Sequence, residues 1–173
     1  MSFADEVDRR IDDALARISR TPISTLIWGP APTAASAIAR ARLALRDALV
    51  ADGHLARFSE DLIDTSRPHS ILAQQVAHVE AHDVVFSLPA SPGSIAEIHD
   101  FARMPGVSHK IITFINREWN DGYSNQSLIQ LRSTLTPEVQ QYDPAGLPDC
   151  IVNAALGYVR TFQEWFYFAG RRS

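Results

Sequence analysis

Cysteine is nearly missing from this 173-residue chain, where Cys150 stands alone. A single cysteine excludes an intrachain disulfide and cannot build a thiolate metal site. It suits a reducing cytoplasm. An excess of positive charge is missing too. Lys and Arg number 16 against 20 Asp and Glu, a net charge of −4, which disfavours binding of DNA or RNA through bulk electrostatics. No stretch approaches the roughly 20 apolar residues that cross a bilayer. The opening MSFADEVDRRID is charged and acidic and lacks the apolar core of a signal peptide, so the expectation is a chain that is neither membrane-bound nor exported. Gly-x-Gly-x-x-Gly and Walker A loops are absent, which removes the usual phosphate cradles. Internal repeats and low-complexity segments are absent as well.

What is present is ordinary globular material. Apolar residues make up 46 % and charged residues 21 %, and the length fits one domain over 1–173 better than two. Residues 3–19 predict an amphipathic helix, since Phe3, Val7, Ile11, Leu15 and Ile18 recur at helical spacing. Its acids come early and its arginines late, as the helix dipole prefers. ISTLIW, stopped by Gly29-Pro30, reads as a buried strand and loop. Alanine- and leucine-rich residues 33–52 read as a helix stopped by Gly53. HLARFSEDLID holds a possible second strand, 69–81 a helix, and DVVFSLP the clearest strand of all. A helix over about 94–103, the strand HKIITFIN, a helix in SNQSLIQLRSTL capped by Ser124, a short strand in EVQQYDP and an aromatic-rich helix over about 148–169 complete the chain. WNDGYS reads as irregular loop.

Strand and helix alternate at least four times, and the strands are continuous apolar runs. Both traits point to a parallel sheet buried on both faces. The expected fold is therefore a three-layer α/β, flavodoxin- or Rossmann-like parallel sheet of about five strands. Helices cover both faces, with an N-terminal helix and a long C-terminal helix added.

Ligands in such sheets bind beyond the carboxyl ends of the strands. The small-residue loops GPAPTAAS, LPASPGSIAE and NREWNDGYS fall there. In SPGSIAE, Gly93 permits close backbone approach, and Ser94 with Glu97 three residues later makes the Ser-x-x-Glu of a capping box. The same helix start is an anion-friendly corner, where a carboxylate can serve as nucleophile or stabilise an oxocarbenium ion. The two roles compete, because a carboxylate bonded to the Ser94 amide is not free to react.

The order of a strand with a GP loop, an arginine-bearing helix, RFSEDLID, a helix, and AHDVVFSLPASPGSIAEIHDFA resembles the nucleoside 2-deoxyribosyltransferase-like proteins. Their relatives include TIR domains and the effector proteins paired with bacterial retrons, whose motif is similar to residues 90–101. The likeness covers roughly 24–118, and its specific part is about fifteen residues long. It implies N-glycosidic chemistry on a nucleoside, nucleotide or NAD-like small molecule, with Glu97 as the catalytic carboxylate and no cofactor. It further implies a setting in antiviral defence. Gly29, Pro30, Ser87, Ser91, Gly93, Ser94 and Asn116 are the candidate substrate-binding residues. Deoxyribosyltransferases usually carry aspartate six residues before the glutamate, where this chain has Ser91. The Gly-Thr of their motif is Gly93-Ser94, and a usual glycine is His99. The departures weigh against true deoxyribosyl transfer. They leave NAD or nucleotide cleavage, or binding without turnover, open.

Other residues carry weaker signals. His78 and His82 are four apart without the His-Glu-x-x-His pattern, so no metal site is expected. Asp83 opens a strand and reads as a cap. Asn116 ends one, where it is either a turn residue or a reader of a base or ribose. Trp28 and Trp119 stand near strand ends and are core residues or stacking platforms. The acid in Ser59-Glu60-Asp61 sits where nucleotide folds bind ribose. The tail YVRTFQEWFYFAG holds more aromatics than a core needs, which suits a homo-oligomer or a partner protein. An interaction protein acting through that helix is the remaining alternative.

Overall fold

The computed structural model describes residues 2–91, 98, 101–119 and 138–170. Its five strands are β1 (Ser24–Trp28), β2 (Leu55–Phe58), β3 (Val84–Ser87), β4 (Ile111–Asn116) and β5 (Glu138–Tyr142). They form one sheet in the order β2-β1-β3-β4-β5, and every neighbouring pair is parallel. This is the doubly wound, flavodoxin-like order, as the alternation of strand and helix predicts. The helices are α1 (Phe3–Ser19), α2 (Ala37–Ala51), α3 (Ile71–Ala81) and α4 (Asp149–Phe168). Ile98, Phe101 and Ala102 also have helical backbone. Arg103 is already in a turn, and residues 94–97, 99 and 100 of the predicted helix, the helix in SNQSLIQLRSTL and the loop after Trp119 lie outside the described residues.

Alternate strand side chains feed two cores. Ile27, Phe86, Ile112, Phe114 and Tyr142 pack with Leu45 and Leu49 of α2 and Ile151, Val159 and Phe166 of α4. Leu26, Val85, Ile111, Ile115 and Val139 pack on the opposite face with Val79 of α3, Ile98, Phe101 and Val107. Burial on both sides explains why β1, β3 and β4 read as unbroken apolar runs. β2 departs from that reading. It is an edge strand, and its residues alternate, with Ala56 and Phe58 buried and Leu55 exposed.

α2 begins four residues later than its composition suggests. Ser36 caps it, its Oγ accepting from the Ala39 amide at 3.2 Å, and 33–35 stay in the loop after β1. Such a cap outweighs the helix propensity of the alanines before it. α1 starts with a reciprocal capping box between Ser2 and Asp5, yet it buries none of its residues. Buried Gln163 of α4 holds its far end, donating to the Ser19 and Thr21 carbonyls at 2.8 and 2.9 Å. Of the aromatics in the tail, Phe166 is buried while Trp165 and Phe168 remain exposed. No helix among the described residues is long and apolar enough to cross a membrane.

Candidate functional site

A cavity of about 510 Å³ opens beyond the carboxyl ends of β1 and β3. The two strands pair directly there, Trp28 opposite Ser87. From β1 the chain leaves through α2 to one side of the sheet. From β3 it continues to β4 on the other. The cleft between them is the switch point of the topology, where doubly wound sheets bind ligands.

Three strands, β1, β2 and β3, contribute their exits to the wall. Trp28, Gly29 and Pro30 come from β1, Ser59 from the turn after β2, and Ser87 with 89–91 from β3. Ile71, Leu72 and Gln75 close one side from the first turns of α3, and Ile98 and Phe101 close the other. The Trp28 ring lies 4.7 Å from that of Phe101, tilted by 50°. Trp28 thus packs in the core and lines the cavity at once. Its indole Nε1 is buried with no hydrogen-bond partner among the described residues.

The loop after β1 is braced from behind by Arg42. That side chain is fully buried, although it is charged. One terminal nitrogen donates to the Pro30 carbonyl and to Glu60 Oε1, both at 2.7 Å. The other donates to the Ile27 carbonyl at 2.7 Å and to Glu60 Oε2 at 2.6 Å. The guanidinium also stacks 4.2 Å from the Phe58 ring centre, a favourable cation–π placement. One arginine therefore ties the exits of β1 and β2 together. Gly29 makes the fit possible. Its φ is +157°, and a Cβ there would stand 3.0 Å from both Arg42 Cδ and the Leu88 carbonyl oxygen.

This clamp gives Glu60 a structural role, since both of its carboxylate oxygens accept from Arg42. Burial pulls its carboxyl upward, but the hydrogen bond and charge of Arg42 outweigh that and leave it below the usual range. Ser59 is the member of that turn that reaches the cavity.

No family model matches the chain, and no curated protein matches it. The candidate residues are therefore weighed by geometry alone. Gly29, Pro30, Ser87 and Ser91 come together around this cavity. Gly93, Ser94 and Glu97 lie outside the described residues, as does His99. Glu97 directly precedes Ile98, which is buried and lines the cavity. Asn116 is not among the described lining residues. It ends β4, and its Oδ1 accepts from the Glu118 amide at 2.9 Å, the bond of a turn residue.

The weaker signals resolve as well. Asp83 sits at the opposite end of the sheet, where its Oδ2 accepts from the amide and hydroxyl of Ser24 at 2.7 Å. His82 Nδ1 lies 2.6 Å from the His78 carbonyl oxygen. Burial, then the neighbouring His82, holds the His78 imidazole below its usual range. Among the described residues no group of His, Cys, Asp and Glu could hold a metal ion. Burial also pushes the Cys150 thiol up, which keeps it protonated and a poor nucleophile.

Sequence reasoning passed over Arg42, Leu72, Gln75 and Phe101. Arg42 did leave a trace. It is the one charged side chain in the buried stripe of α2, with Ile38, Ala41, Leu45 and Leu49, and an arginine in such a stripe needs buried partners.

Proposed function

We propose that the chain binds a nucleoside, nucleotide or NAD-like molecule in the β1/β3 cavity and cleaves or transfers its N-glycosidic bond, with Glu97 as the reacting carboxylate. The observation that carries this reading is the position of the cavity. It lies at the switch point of a doubly wound sheet, and four of the residues singled out for substrate binding line it. Its size suits one small ligand. Trp28 offers an aromatic surface for a base, while Ser59, Ser87 and Ser91 bring hydroxyl groups to the same wall. Glu97 stands one position before a lining residue, on the segment that continues from the β3 exit. A carboxylate there would attack the anomeric carbon or stabilise the oxocarbenium ion as the base departs.

Incubation with NAD and with a panel of deoxynucleosides, followed by chromatography, tests this. Base release is expected from at least one of them, and Glu97→Gln should lower it by at least about 10³-fold. Release unchanged in Glu97→Gln removes the glutamate from the mechanism. Saturable binding by calorimetry with intact ligand would reduce the function to nucleotide binding.

A further inference from the structure

The apolar stripe of α1 has no counterpart among the described residues. Phe3, Val7, Ile11 and Leu15 are 84, 36, 52 and 56 % exposed, on a helix none of whose residues is buried. An amphipathic helix of this kind normally gains its stability by packing its apolar face. The capping box and the tie through Gln163 hold the helix in place without covering that face. A groove of about 560 Å³ runs along it, lined by Val7, Arg10, Ile11, Asp13, Ala14 and Arg17.

The charges beside the groove say what would cover it. Glu6, Arg10, Asp13 and Arg17 follow one flank of the stripe at spacings of four, three and four, with alternating sign. The pattern is its own complement when reversed. An antiparallel copy that sets Glu6 against Arg17 also sets Arg10 against Asp13, and a two-fold axis repeats both pairs. Arg10 and Arg17 make no ion pair among the described residues. Glu6 and Asp13 are bridged within the helix by Arg9, at 2.8 and 3.3 Å. On this flank a partner of a single charge sign would meet repulsion at every second position, while Asp5, Asp8 and Asp12 keep the other flank acidic. Parallel pairing would bring like charges together.

We infer that α1 is a self-docking surface, on which two copies of this chain pair antiparallel about a two-fold axis near Ile11. The interface is isologous, as two-fold dimers require. It is small, one helix face per copy, so the association is reversible and weakens as salt screens the flanking pairs. The groove shares no described lining residue with the β1/β3 cavity, and the pairing stands independently of the chemistry proposed there.

Sedimentation of the full chain from micromolar to millimolar concentration tests this at low and high salt. A monomer–dimer equilibrium is expected. Ile11→Asp should weaken it by roughly tenfold or more. Arg17→Glu should also weaken it, and Glu6→Arg combined with Arg17→Glu should restore it by exchanging the pair. Circular dichroism should show all these variants folded, because α1 buries nothing. A monomer at every concentration overturns the inference, and vesicle binding by that monomer would give the face to a lipid surface. A dimer indifferent to Ile11→Asp overturns it too, as does a double variant no tighter than Arg17→Glu.

Discussion

Arg42 is the residue on which the shape of the site depends most directly. It satisfies the Ile27 and Pro30 carbonyls and a carboxylate from a fully buried position. The alanines around it in α2 make the residue look like an ordinary helix former, which hides its buried role in the sequence. Glu60 is its only charged partner among the described residues, and Glu60 titrates. Its folded carboxyl lies below the unfolded range. The pair therefore contributes fully above the unfolded value, and the contribution is lost as pH falls through the folded one. At neutral pH, Glu60→Gln should cost about 1–3 kcal/mol. The lower part of that range is expected, since the Glu60 side chain is 44 % exposed and water screens the pair. Denaturant titrations of both proteins from neutral to acid pH should show this difference shrinking as the wild-type carboxylate protonates. A difference that stays constant would mean that charge is not what Glu60 supplies.

Among the elements, those with strong local signals were legible and those set by tertiary context were not. The runs in β1, β3 and β4, and Gly53 after α2, place those elements in the sequence close to where they are found. The start of α2 was not legible, because Ser36 competes with alanines that are equally good helix formers, and only the loop after β1 decides between them. The alternation of β2 follows from its edge position, which no residue of LARF announces. The period of α1 was plain, but period does not reveal whether a stripe has anything to pack on. Its attachment rests on Gln163, a single polar residue in the buried stripe of α4. Gln163→Leu leaves the Ser19 and Thr21 carbonyls without their donor, at a cost of about 2 kcal/mol. Amide exchange over residues 3–19 should then accelerate while that of β3 and β4 is unchanged. Equal acceleration everywhere would show that the glutamine supports the whole fold instead.

For the molecule as a whole, the sheet order is what turns scattered loops into one cavity. Gly29-Pro30 and the segment after β3 were recognisable as candidate walls from their small residues. The α3 side was not, because Leu72 and Gln75 meet the cavity only through the packing of that helix. A ligand held between three strand exits and α3 should stabilise the fold by mass action, about 2.7 kcal/mol when its concentration is a hundred times Kd. Thermal denaturation with NAD or a deoxynucleoside should reveal that gain. Leu72→Trp should abolish it by filling the cavity, with stability otherwise within about 0.5 kcal/mol because Leu72 is 47 % exposed. An equal ligand shift in the variant would place binding elsewhere. Every described residue of the cavity wall lies at or before Phe101, while β4, β5 and α4 add none. In the order of synthesis, the described part of the wall leaves the ribosome before β4, β5 and α4. The C-terminal strands and helix thus complete a fold whose described cavity wall has already been translated, and substitutions in β5 or α4 should reach that wall only through the stability of the whole.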